Sequence, residues 1–177
     1  MNYLGIDKAS ISNGPGVRVV LWVSGCTVHC KGCQNPESWN FNAGRLFDDD
    51  AKQELFDALN KPYINGITFS GGHPLENDNA ECIYNLILEI SDKFPEKDIW
   101  LYTGYTLEQI FPTGITCDFN INRVYRQSIV KMCDVVVDGP YIEEQRDITL
   151  KFRGSKNQRI IDVRKTLDQG KIITIQN

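Results

Sequence analysis

The chain has 177 residues, 41% hydrophobic and 24% charged, which is the composition of a globular protein long enough for one domain with a sizeable core. A formal net charge of −4 argues against a broad basic surface for nucleic acid or anionic lipid and leaves one local basic stretch, residues 151–159, read as a solvated face. No run approaches the length of a membrane span, and no basic segment leads into an apolar one near Met1, so a cytoplasmic protein with no membrane or direct nucleic-acid partner is expected. Thiols stay reduced in that compartment, and the six cysteines therefore read as metal ligands plus buried singles rather than as disulfides.

In chain order, Asn13-Gly-Pro-Gly16 is a turn before the first predicted strand, 17–24. Arg18 interrupts that apolar run, so it needs either an exposed edge or an anionic partner. Directly after the strand, Cys26, Cys30 and Cys33 place three thiols within eight residues. Three readings fit this spacing: a Cys3His zinc site completed by His29, redox pairing, or an iron–sulfur cluster held by three cysteines. His29 abuts Cys30, which makes it hard for both to reach one small ion. A three-cysteine cluster leaves one iron without a protein ligand, open to a small molecule bearing an amine and a carboxylate.

Further strands are predicted at 66–70, 98–102 and 134–138, with helices at 50–60 and 79–94 between them. Ile83, Ile87, Ile90 and Phe94 share one face of the second helix. Thr106-Leu-Glu-Gln109 has the form of a capping box and opens a short helix ending near Pro112. Residues 113–132 read as an elaborated connection with a helix from about Asn122. Beyond Tyr141, 158–163 and 171–175 are candidate edge strands joined by a turn or helix around 164–170. Strands alternating with helices imply an α/β fold with a mostly parallel sheet, whose ligand site lies beyond the carboxyl ends of the strands. Four loops meet at that end: the cysteine loop, Ser70-Gly-Gly-His-Pro74, Thr103-Gly-Tyr105 and Asp138-Gly-Pro140. Gly71 and Gly72 let the backbone approach a ligand closely. Cys82, Cys117 and Cys133 are scattered and read as structural.

The succession Asn-Gly-Pro-Gly-x-Arg, Gly-Cys-x3-Cys-x2-Cys-x-Asn-Pro-Glu and Ser-Gly-Gly-x-Pro-Leu resembles the glycyl-radical-enzyme activases of the radical S-adenosylmethionine superfamily. Trp100-Leu-Tyr-Thr-Gly-Tyr105, Asp134-Val-Val-Val-Asp-Gly-Pro140 and Arg153-Gly-Ser-Lys-Asn-Gln-Arg159 are similar to the branch acting on anaerobic, class III ribonucleotide reductase. The resemblance implies a single radical S-adenosylmethionine domain over 1–177, built as a partial, open (βα) barrel. It implies a [4Fe-4S] cluster on Cys26, Cys30 and Cys33, with S-adenosylmethionine chelated to the fourth iron. Reductive cleavage then yields a 5′-deoxyadenosyl radical that takes hydrogen from a glycine of the reductase large subunit, and an electron donor such as a flavodoxin is expected. Gly32, Cys33, Gln34, Gly71, Gly72, His73, Thr103 and Gly104 are the expected cofactor-binding residues, with Asp138 a weaker candidate and no catalytic side chain beyond the cluster and cosubstrate. Trp39, Trp100 and Tyr105 read as packing or partner contacts.

Two residues depart from that pattern. Gln34 stands where relatives often carry an aromatic, and His73 where they commonly carry an acid, which leaves the Gly71 and Gly72 carbonyls to meet the ligand's amino group. The alternatives are an activase of another glycyl-radical enzyme, such as pyruvate formate-lyase, or a non-catalytic zinc module.

Overall fold

The protein is described by a computed structural model covering residues 1–112 and 120–175. Of the expected connection at 113–132, residues 113–119, with Cys117, lie outside the described residues, and the expected helix from about Asn122 is found at Ile121–Met132. One seven-stranded sheet runs in the order β3-β1-β2-β4-β5-β6-β7. Its central strands β2 (Arg18–Val23), β4 (Gly66–Gly71), β5 (Asp98–Tyr102) and β6 (Val135–Asp138) are parallel. Antiparallel strands flank them: β1 (Asn2–Ser10) beside β2, β3 (Arg45–Leu46) beside β1, and β7 (Arg159–Asp162) beside β6. The end strands β3 and β7 do not pair, so the sheet is an open partial barrel.

The four parallel strands and β7 coincide with the expected ones to within a residue or two. β1 was not anticipated, because Gly5 and the exposed Asp7-Lys8-Ala9 run break any apolar alternation. The expected edge strand at 171–175 reduces to one bridge, Ile161 to Thr174, flanked by bonds from Asp162 N to Ile173 O and Ile175 N to Ile160 O. No helix among the described residues is long and apolar enough to cross a membrane.

Side chains alternate across the central strands and build two cores. Val19, Leu21, Ile67, Phe69, Ile99, Leu101 and Val136 face the helix layer, where they meet Leu55 and Leu59 of α1 (Asp49–Leu59), Ile83, Ile87 and Ile90 of α2 (Asn77–Lys93), and Ile129 of α4 (Ile121–Met132). The opposite, concave face carries a smaller cluster of Trp100, Val135, Val137 and Ile160. α1 starts at Asp48, whose carboxylate accepts from Ala51 N at 3.0 Å, and α4 at Asn120, whose side chain accepts from Asn122 N at 2.9 Å. The capping box at Thr106 forms, with Thr106 N donating to Gln109 Oε1 at 2.8 Å, and opens α3 (Leu107–Ile110). The 164–170 connection is α5 (Val163–Gln169), stopped by Gly170 in the left-handed region at φ 63°.

Arg18 is fully buried rather than at an edge. Its guanidinium pairs with Asp98 at 2.5 Å, donates to Thr68 Oγ1 at 2.9 Å and Ile67 O at 2.8 Å, and lies over the Trp100 ring. Arg18 therefore closes the base of the concave face and is structural.

Candidate iron–sulfur and cosubstrate site

At the carboxyl ends of the parallel strands lies a cavity of about 210 Å³. Cys26, Cys30, Cys33 and Gln34 line one side, Gly71, Gly72 and His73 another, and Thr103 and Gly104 a third. All but one of the residues expected to bind the cofactors therefore share one chamber. Gly32 is the exception: it lies outside the lining, at φ 73°, where a Cβ would run into Glu143. The cavity wall also includes Trp22, Trp39, Tyr102, Tyr141, Gly154 and Gln158, which sequence reasoning did not assign to it.

The glycine pair is required by the packing of one loop on another. Gly71 adopts φ 105°, and a Cβ there would sit 2.7 Å from Val23 N and O. At Gly72 a Cβ would lie 2.6 Å from Gly25 O and 2.9 Å from Ser38 O. Gly72 N donates to Val23 O at 2.7 Å and His73 N to Gly25 O at 2.8 Å, so the second loop is pinned to the base of the first.

His73 is buried, and both ring nitrogens have protein partners: Nδ1 lies 3.1 Å from Glu76 Oε1 and Nε2 lies 2.8 Å from Thr103 Oγ1. Glu76 Oε1 also accepts from Thr27 N at 2.8 Å and Thr27 Oγ1 at 2.7 Å. Burial alone would raise the Glu76 pKa, but the bonds from His73 and Thr27 outweigh it and bring the pKa down to about 2. With Glu76 ionised and accepting, Nδ1 carries the donated hydrogen, and Nε2 is bonded to the Thr103 hydroxyl. Thr103 Oγ1 accepts in turn from Tyr105 N at 3.1 Å. The Thr103 side chain is thus committed within the wall. Asn79 completes the lattice, donating to Ser24 O at 2.8 Å and His73 O at 3.1 Å.

Asp138 does not line the cavity. It is buried beneath the rim, accepting from Leu107 N at 2.8 Å and from Arg159 at 2.9 Å and 2.5 Å. The stretch 153–159 is not a free basic face: Arg159 also holds Glu108 through two bonds, Arg153 donates to Gln158 O, and Lys156 faces Asp147 at 3.5 Å. Gln158 and Asn157 tie the stretch to Gly139 O and Pro140 O, closing the mouth opposite the cysteine loop. Across that mouth, Lys31 pairs with Glu144 at 2.9 Å.

The donor set suits an iron–sulfur cluster. All three loop cysteines are free and half-buried, and burial raises the thiol pKa of Cys26 and Cys30, which are accordingly held protonated until a metal replaces the protons. Among the described residues no fourth cysteine reaches the cavity: Cys82 is half-buried on α2 and Cys133 is buried beyond α4. His29 is exposed, adopts φ 48°, and stacks on Trp39 at 4.6 Å rather than lining the cavity, which removes the fourth ligand of a zinc site. The donor atoms of Cys26, His73 and Glu76 come within 4.8 Å of one another, but His73 and Glu76 are satisfied by each other and by Thr27 and Thr103.

An open α/β sheet with three free thiols on one cavity at the carboxyl ends of its parallel strands defines the class as a candidate iron–sulfur protein. Comparison with known proteins agrees, since residues 12–161 match the family described as a 4Fe-4S single cluster domain. The anaerobic ribonucleoside-triphosphate reductase-activating protein of Haemophilus influenzae is 40% identical over 162 residues, covering 90% of this chain and 97% of that protein. Its counterpart in Enterobacteria phage T4 is 42% identical over 160 residues, covering 90% and 93%, and that of Escherichia coli K12 is 35% identical over 166 residues, covering 93% and 100%. The chain belongs to this family of activating proteins.

Proposed function

We propose that this chain is the activating enzyme of an anaerobic ribonucleoside-triphosphate reductase, with the reductase large subunit as its protein substrate. The observation that carries the reading is the convergence of Cys26, Cys30 and Cys33 with Gly71, Gly72 and Gly104 on one cavity, in a chain that matches the activating proteins over nearly their whole length. Cys26, Cys30 and Cys33 would hold a [4Fe-4S] cluster, and S-adenosylmethionine would bind at the remaining iron. A cluster held there would supply the one-electron reduction needed for cosubstrate cleavage and hydrogen-atom removal from a glycine of the reductase.

The chain's own residues bind, orient and shield. The Gly71-Gly72 backbone offers carbonyl groups close to the cysteine loop, where no side chain could fit. Gly104 and Gln34 border the space left for the rest of the cosubstrate, while the aromatic walls Trp22, Trp39, Tyr102 and Tyr141 keep water from a reactive carbon centre. Neither a general base nor a hydrolytic triad is needed. The sheet stays open between β3 and β7, and that opening admits a protein segment. The domain works as one unit over 1–177 in the cytoplasm, and a small electron-transfer protein such as a flavodoxin supplies the reducing equivalent.

The test is anaerobic reconstitution with iron and sulfide, reduction, and quantitation of 5′-deoxyadenosine from S-adenosylmethionine. Product that depends on each of Cys26, Cys30 and Cys33 supports the reading. A protein that takes up zinc but no iron, with no cleavage, refutes it.

A further inference from the structure

Glu76 occupies the residue before α2, the position from which a side chain ordinarily caps the helix, yet it makes no cap bond. Its carboxylate turns instead toward the cysteine loop. Oε1 alone takes three bonds: from Thr27 N at 2.8 Å, from Thr27 Oγ1 at 2.7 Å and from His73 Nδ1 at 3.1 Å. Thr27 is the residue after Cys26, and a Glu76 oxygen lies within 4.8 Å of Cys26 Sγ. Glu76 is 4% exposed, so water screens its charge weakly at that distance. Three donors aimed at one oxygen suit the carboxylate form of the side chain.

From this geometry we infer that Glu76 is a positioning and tuning residue of the metal site, an inference that rests on the iron–sulfur reading above. It acts in two ways. Through Thr27 it holds the backbone of the cysteine loop in its ligating conformation before any metal arrives. Through its charge it sets a fixed negative potential beside the Cys26 ligand, which disfavours the added electron and holds the reduction potential of the bound cluster low. His73 gives the carboxylate a ring N–H donor and passes the loop's alignment on to Thr103.

The two effects separate experimentally. Glu76→Gln keeps an acceptor at Oε1 for all three donors and removes the charge. Thr27→Val removes one donor and keeps the charge, now less neutralised. In reconstituted protein, redox titration followed by electron paramagnetic resonance should show the midpoint potential of Glu76→Gln displaced to more positive values and that of Thr27→Val unchanged or more negative. An unchanged potential in Glu76→Gln, or a positive displacement in both variants, overturns the tuning role. In iron-free protein, exchange of the Thr27 amide should be about tenfold faster in Glu76→Ala than in the parent, the loss of about one hydrogen bond; an unchanged rate overturns the positioning role, whether or not the variants hold iron. Failure of the unsubstituted protein to assemble any cluster refutes the function proposed above instead, and leaves the amide-exchange result to judge Glu76.

Discussion

Replacing Arg18 by Met tests whether that residue serves the fold rather than the site. The guanidinium is fully buried, donates to Thr68 Oγ1 and Ile67 O, and pairs with Asp98. Removing one partner of a buried pair ordinarily costs about 3–5 kcal/mol. Here the cost falls toward the lower figure, because the Asp98 side chain is 41% exposed and can take up water when its partner is gone. Thr68 Oγ1 still donates to Asn13 O at 2.8 Å, so that hydroxyl is not stranded. About 3 kcal/mol in a protein of this size lowers the melting temperature by roughly 6–12 °C. The reverse change, Asp98→Ala, leaves a wholly buried cation unpaired and should cost more. Melting followed by circular dichroism on both variants and on the double variant checks the argument, with the double variant losing less than the sum of the two. A fall of under about 2 °C in Arg18→Met, or strict additivity, would refute the reasoning.

Gly72→Ala drives a Cβ to 2.6 Å from the Gly25 carbonyl, so about 1–3 kcal/mol of overpacking and a poorer iron yield should appear together in melting curves and iron analysis. Cys82→Ala should keep the full iron content and the brown absorbance, whereas Cys26→Ala, Cys30→Ala and Cys33→Ala should each lose them. The Glu76 carboxyl, lowered to about 2 from an ordinary value of 4.5, contributes stability that is fully present above pH 4.5 and is lost as the pH falls toward 2. Urea midpoints measured from pH 5 to pH 2.5 should therefore fall less steeply in Glu76→Gln than in the parent, and equal slopes would contradict the ionised, hydrogen-bonded carboxylate.

The parallel strands were legible because each is a short β-branched run closed by a glycine-bearing loop, and the same loops marked where the site would lie. β1 was not, because its residues are half-exposed and its turn to β2, from Ser10 to Arg18, is too long to carry a tight hairpin signature. The cysteine spacing marked three candidate donors, and the exposed, Trp39-stacked position of His29 adds to the argument from its place beside Cys30 against a fourth zinc ligand there. For Gly72 the sequence suggested room for a ligand, while the tight constraint comes from the carbonyls of Gly25 and Ser38, far away along the chain. Glu76 carried no signal of its own: three residues beyond His73 it looks like a helix-opening acid, and its partner Thr27 lies 49 residues away.

The most direct measurement mixes the reconstituted, reduced protein with S-adenosylmethionine and the anaerobic reductase and follows electron paramagnetic resonance. A glycine-centred signal on the reductase should grow as 5′-deoxyadenosine accumulates, and it should vanish with Cys30→Ala. Cosubstrate cleavage with no signal on the reductase, while the pyruvate formate-lyase glycine is activated, would contradict the assignment.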